Sequence, residues 1–127
     1  MKTLQQTVGK RGEDEACRLL RELGHIVLAR NWRSGHLELD IVTLTEGGIH
    51  FVEVKSKTAP VTADPVLSVT ASKQSKMIAA AAAFMHSEER KALHADMEIF
   101  FDVVTVVFYN DRAEVQYFPQ AFVPIYV

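Results

Sequence analysis

The 127-residue sequence predicts an α/β fold: a mixed β-sheet flanked by helices, in the order α-β-β-β-α-β-β. Three observations carry this reading. Apolar residues recur at helical spacing in two separate stretches, 7–23 and 70–86. Five runs are rich in β-branched and aromatic residues, and Gly, Asn and Asp punctuate them. The apolar share of 48% suits one core that removes roughly two-thirds of the unfolded chain's surface from water, so residues 1–127 are expected to form a single domain.

In the first stretch Ala16, Leu19, Leu20 and Leu23 stand at i, i+3, i+4 and i+7, and Gly24 is placed to cap the end. Glu13 borders this stripe, whereas Asp14, Glu15, Arg18, Arg21 and Glu22 fall on the far side of the helix. Residues 25–30 read as a strand that ends in a turn at 31–35. Residues 37–44 and 49–56 flank Glu46-Gly47-Gly48 and form an antiparallel hairpin. Residues 57–69 hold Pro60 and Pro65 and read as an ordered loop. Thr70 or Ser72 can cap the second helix, in which Met77, Ile78, Ala81, Phe84 and Met85 recur at helical spacing; residues 87–94 add a short helical turn. Residues 98–108 are strongly β, Asn110-Asp111 is a turn, residues 113–118 return as a strand, and Pro119 and Pro124 break the tail.

The formal charge of −2 argues against a polybasic nucleic-acid binder, yet it is unevenly spread. Basic residues are in excess over 1–33 and again between Lys73 and Lys91, around an acidic middle. Cys17 is the one cysteine, so no intrachain disulfide can form, and its helical position suits a small buried hydrophobe. The first residues show no apolar leader, and no stretch approaches the ~18 apolar residues of a membrane span, which makes the cytoplasm the expected address. Five histidines show no ligand spacing, so zinc is not expected.

The hairpin carries polar residues that a half-buried strand does not require. Alternation puts Glu38 and Asp40 on one face of its first strand, and Glu53 and Lys55 on one face of its second. A two-residue loop at Glu46-Gly47, or a four-residue loop at 45–48, sets Asp40 across from Glu53 and Glu38 across from Lys55; a three-residue loop would part them. Facing carboxylates repel unless a proton or cation intervenes, and an oxygen-only pair suits Mg²⁺ or Mn²⁺. Lys55 could then orient water or stabilise charge on a phosphate, and Glu13 could reach the cluster from below. By spacing alone, the same residues equally suit a solvated strand face with Lys55 as ion partner, and Glu13 suits a helix N-terminus.

The residues Gly12-Glu13, Asn31-Trp32-Arg33, Glu38-Leu39-Asp40, Phe51-Val52-Glu53-Val54-Lys55, Lys73-Gln74 and Phe101-Asp102-Val103-Val104, in this order, resemble the YraN-like family of small bacterial proteins. That family looks like the PD-(D/E)XK nucleases, and within them the archaeal Holliday-junction resolvases. The resemblance implies a restriction-endonuclease-like core with Asp40 and Glu53 as metal ligands beside the Val54 carbonyl, Lys55 as catalytic lysine and Glu13 as first-helix acid. It also places Glu38 and Gln74 near the site. Two departures stand out: Leu37 replaces the family's usual glycine, and Phe100 stands where arginine is usual. Asp102, in the most apolar strand, reads as structural rather than as a third ligand.

The function expected is a Mg²⁺- or Mn²⁺-dependent endonuclease acting on DNA, branched or otherwise structured. Arg11, Arg30, Arg33, Lys57, Lys73, Gln74 and Lys76 are candidates for contacts to nucleic acid. Trp32, between Arg30 and Arg33, suits packing at a strand end better than stacking on a base. The alternative is a non-catalytic nucleic-acid-binding module that keeps the fold; a protein-interaction domain is the third reading. A homodimer would let one active site per chain cut both strands of a symmetric junction, though no residue identifies the interface.

Overall fold

Thr3 opens the first helix because its hydroxyl accepts the Gln6 amide while the Gln6 side chain accepts the Thr3 amide, a reciprocal capping box. In the computed structural model, which describes residues 3–60, 69–93 and 96–123, helix α1 therefore spans Leu4–Glu22 and starts before the expected residue 7. Its buried stripe is Gly12, Ala16, Cys17 and Leu20, whereas Leu23 caps the helix and is exposed. The stripe is thus rotated from the one the leucines suggest. Small residues sit where the helix lies closest to the sheet.

Strands β1 (Ile26–Ser34), β2 (Leu37–Thr45), β3 (Gly48–Thr58), β4 (Glu98–Phe108) and β5 (Ala113–Phe122) form one sheet in that spatial order. Only β3 and β4 run parallel, joined through helix α2 (Ala71–Met85) and a short 3₁₀ turn at Glu89–Ala92. This is the predicted mixed sheet, in the predicted element order, and it is consistent with a restriction-endonuclease-like fold. The inner strand β4 is buried from Phe101 through Phe108, as expected where helices cover both faces. On one face α2 packs Met77, Ala80, Ala81 and Phe84 against Val42, Ile49, Phe51 and Phe101. On the other, Ala16, Cys17 and Leu20 of α1 pack against Ile41, Val52, Val104 and Val106.

Strands β1, β3 and β5 run further than the sequence suggests. Residues 31–34 are strand rather than turn, because Trp32, Arg33 and Ser34 pair with Leu39, Glu38 and Leu37, leaving Gly35-His36 as the reversal. Trp32 meets the Phe84 ring edge-on at 5.4 Å, so it is a packing residue. Strand β5 continues past Pro119, which an edge strand tolerates because one side of its backbone needs no ladder donor. Of the expected loop over residues 57–69, Lys57 and Thr58 instead extend β3, where they pair with Val107 and Phe108, and residues 61–68 lie outside the described residues, as do His94 and Pro124.

Candidate functional site

Thr45 pairs with Gly48 and Ile41 with Val52, so the hairpin closes on the two-residue turn Glu46-Gly47. Continued by one pair, this register sets Asp40 across from Glu53. The ladder stops there. The Asp40 carboxylate accepts the Val54 amide at 2.9 Å and shares a hydrogen bond with the Glu53 side chain. The side chain thus occupies the place of a main-chain partner at the point where β2 and β3 part.

The neighbouring strand shows the same break. Asn31, level with Asp40 in β1, has φ +50°, a conformation that Asn tolerates better than most side chains. Leu39 packs in the α2 core and Ile41 in the α1 core, although regular alternation would put them on one face. Asp40 is the residue at which the alternation resets.

Two carboxylates this close in a half-buried setting resist joint ionisation. Burial first, and then the charge of Asp40, push the Glu53 carboxyl up to about 7, while Lys73 acts against the rise. Burial also raises Asp40, opposed by the Val54 amide and Lys73. Lys73, in the first turn of α2, reaches Glu53 with Nζ 3.2 Å from Oε1. Lys55 follows Glu53 by two residues and is half-buried on β3, level with Thr105 of β4. Gln74 is turned back to its own helix entrance, where Nε2 donates to the Val69 carbonyl.

Glu13 approaches from α1. It accepts the Asn31 side-chain amide at 3.2 Å, and burial raises its pKa, with Asp40 adding to the rise. Among the described residues, no three His, Cys, Asp or Glu side chains gather closely enough to hold a metal ion. The compact acidic unit is therefore the Asp40–Glu53 pair, with Glu13 at its border.

Beside the pair lies an open groove of about 1050 Å³ between the first half of α1 and the ends of β1, β2 and β3. Glu13 and Asp40 reach its lining, as do Arg30, Arg33, Glu38 and Lys57. Arg30 is held by Asp14 at 2.6 Å and Arg33 by Glu38 at 3.4 Å. The expected facing of Glu38 and Lys55 is replaced by this Arg33 pair, because the β2–β3 ladder has already closed at Ile41↔Val52. Arg11 does not line the groove; its guanidinium lies over the Phe108 ring, 4.4 Å from the centroid. Lys10 lines it instead. The signal for Lys10 was its i, i+3 spacing to Glu13, which puts the two on one helix face. Lys73 and Gln74 belong to α2, which covers the opposite face of the sheet, and Lys76 is exposed on the same helix. No helix among the described residues is long and apolar enough to cross a membrane.

Comparison with known proteins agrees with the motifs. The model of the "Uncharacterised protein family UPF0102" matches residues 12–106. A UPF0102 protein of Bacteroides thetaiotaomicron is 36% identical over 117 residues, covering 92% of this chain and 93% of the relative. One from Nitratidesulfovibrio vulgaris is 36% identical over 118 residues, 93% and 85% of the two chains. A third, from Clostridium perfringens, is 32% identical over 114 residues, 90% of each. The matched span runs from Gly12 in α1 through the Asp40–Glu53 pair to Val106 near the end of β4, and on this evidence the chain belongs to the UPF0102 family, the YraN-like family that its motifs resemble.

Proposed function

We propose that the protein is a divalent-metal-dependent nuclease that hydrolyses phosphodiester bonds of DNA, branched or structured DNA being the expected substrate. The observation that carries this reading is the half-buried Asp40–Glu53 carboxylate pair at the parting of β2 and β3, with the Val54 amide on Asp40 and Lys73 on Glu53. Two half-buried carboxylates, of which Glu53 is raised to about 7, are suited to exchange a proton for a hard cation, and the Val54 carbonyl is next in the chain. A bound Mg²⁺ or Mn²⁺ would neutralise the pair, lower the pKa of water and polarise the scissile phosphate. Lys55, two residues along β3, would stabilise charge developing on the phosphate. Lys73 would hold Glu53 in place from α2, and Glu13 would raise the negative potential at the groove.

The test is cleavage of labelled linear, flapped and four-way DNA by the purified protein with Mg²⁺ or Mn²⁺. Cleavage is expected for the wild type, and Asp40→Asn and Lys55→Ala should each abolish it while leaving the folded spectrum intact. A folded wild type that cuts none of these substrates with either metal sinks the enzyme reading. The second reading, a binding module without catalysis, is favoured by the lack of a third metal-ligating side chain among the described residues beside the pair. DNA binding that survives the loss of both Asp40 and Glu53, without cleavage, would select it.

A further inference from the structure

We infer that the groove between α1 and the end of the sheet binds the sugar–phosphate backbone of one nucleic-acid strand without reading its bases, and that Lys10 and Lys57 are the phosphate contacts. The inference rests on the nuclease reading of the neighbouring pair and adds how that site takes hold of its substrate. Four cations line the groove, but they are not equivalent. Arg30 and Arg33 are engaged by Asp14 and Glu38. Lys10 and Lys57 show no ion pair among the described residues, are on opposite walls, α1 and β3, and are available for an anion. The polar side chains of Gln6, Asn31, Ser56 and Thr58 also line it and can donate to phosphate oxygens, beside the carboxylates of Glu13, Glu38 and Asp40.

What the lining lacks defines the class of ligand. Among the described residues no Phe, Tyr or Trp lines the groove, so they offer a base no stacking platform of the kind that single-strand binders use. Trp32, which the sequence placed between two arginines, is turned away into the Phe84 contact. A space of about 1050 Å³ is near the upper size of small-molecule pockets, enough for a short length of one strand, and a duplex could enter only by the edge of one backbone. Gly9 leaves the α1 wall open, since a Cβ there would meet nothing within 4 Å. Asp40 and Glu13 border the same space, so a strand held by the two lysines passes Asp40, whereas Glu53 and Lys55 are outside the lining.

The experiment is fluorescence anisotropy with labelled single-stranded and duplex DNA, each in two unrelated sequences, in EDTA over a series of salt concentrations. Lys10→Gln/Lys57→Gln should weaken binding several-fold and equally for both sequences. Its log–log salt slope should be shallower by about 1.4 for single strands and about 1.8 for duplex, the release expected for two phosphates. Lys91→Gln, the same loss of charge at a remote exposed site, should leave affinity and slope unchanged. The inference is overturned if the wild type binds neither DNA, if the double variant keeps affinity and slope, if its loss depends on sequence, or if Lys91→Gln weakens binding as much. Because no metal is present, the result is separable from catalysis. Lysine-dependent binding by a protein that never cuts would leave the groove assignment standing and remove the nuclease. Cleavage with a KM that the double variant does not move would do the reverse.

Discussion

Asp102 is fully buried and yet ionised, because three donors converge on it. Burial pushes its carboxyl up, but His50 Nδ1 at 2.6 Å, the Tyr117 hydroxyl and the Gln120 amide at 2.9 Å outweigh that and hold it below the ordinary carboxylate value. Donation from Nδ1 leaves His50 Nε2 to accept the Thr45 hydroxyl at 2.8 Å, and His25 reaches Thr43 at 2.7 Å beside it. The network ties β2, β3, β4 and β5 at the turn end of the hairpin, away from Asp40. Asp102 is thus a structural residue, as its apolar strand suggested. Asp102→Ala strands three donors and should cost about 3–5 kcal/mol in urea denaturation. Tyr117→Phe removes one donor and should cost about 1–2 kcal/mol. A cost below that for Asp102→Ala would mean that water replaces the carboxylate.

Helix α1 owes its place to one residue without a side chain. A Cβ on Gly12 would fall 1.7 Å from Ser56 Oγ and 2.8 Å from Ser56 Cβ, so only glycine lets the helix lie this close to β3. Glu13, the next residue, is thereby brought to the groove. Gly12→Ala should destabilise by about 1–3 kcal/mol, despite the better helix propensity of alanine. In the Ser56→Gly background the nearest remaining atom is Val54 Cγ1 at 3.8 Å, and there the same change should cost little or become stabilising. Thermal denaturation of the four proteins in this cycle measures the coupling. Equal cost in both backgrounds would place the strain elsewhere than Ser56.

For the whole molecule, the acidic pair makes stability depend on pH in an unusual sense. Glu53 rises from 4.5 to about 7 on folding, so the folded state keeps a proton that the unfolded chain releases. Its contribution is intact below about pH 4.5 and is lost as pH rises through 7, worth up to ~3 kcal/mol. Without metal, urea midpoints from pH 4.5 to 8 should therefore show the wild type losing ground to Glu53→Gln as pH rises, and Mg²⁺ should restore the wild type above pH 7. The opposite slope would mean that the proton is not held on Glu53.

Local rules made much of this molecule legible in its sequence. Two periodic helices, the β-runs and the turn at Glu46-Gly47 follow from side-chain pattern and backbone sterics, and together they set the element order and the Asp40–Glu53 register. The motif residues likewise mark the family. Other features depend on atoms distant in sequence. Asn31 in the left-handed region, the reset of alternation at Asp40, the passage of β5 beyond Pro119 to donate to Asp102, and the choice of Lys10 over Arg11 each require a neighbouring strand or helix to be in place. Periodicity states which residues share a face of one element. It does not state where two strands part, and the candidate site stands at that point because a side chain, rather than the main chain, completes the hydrogen bonding there.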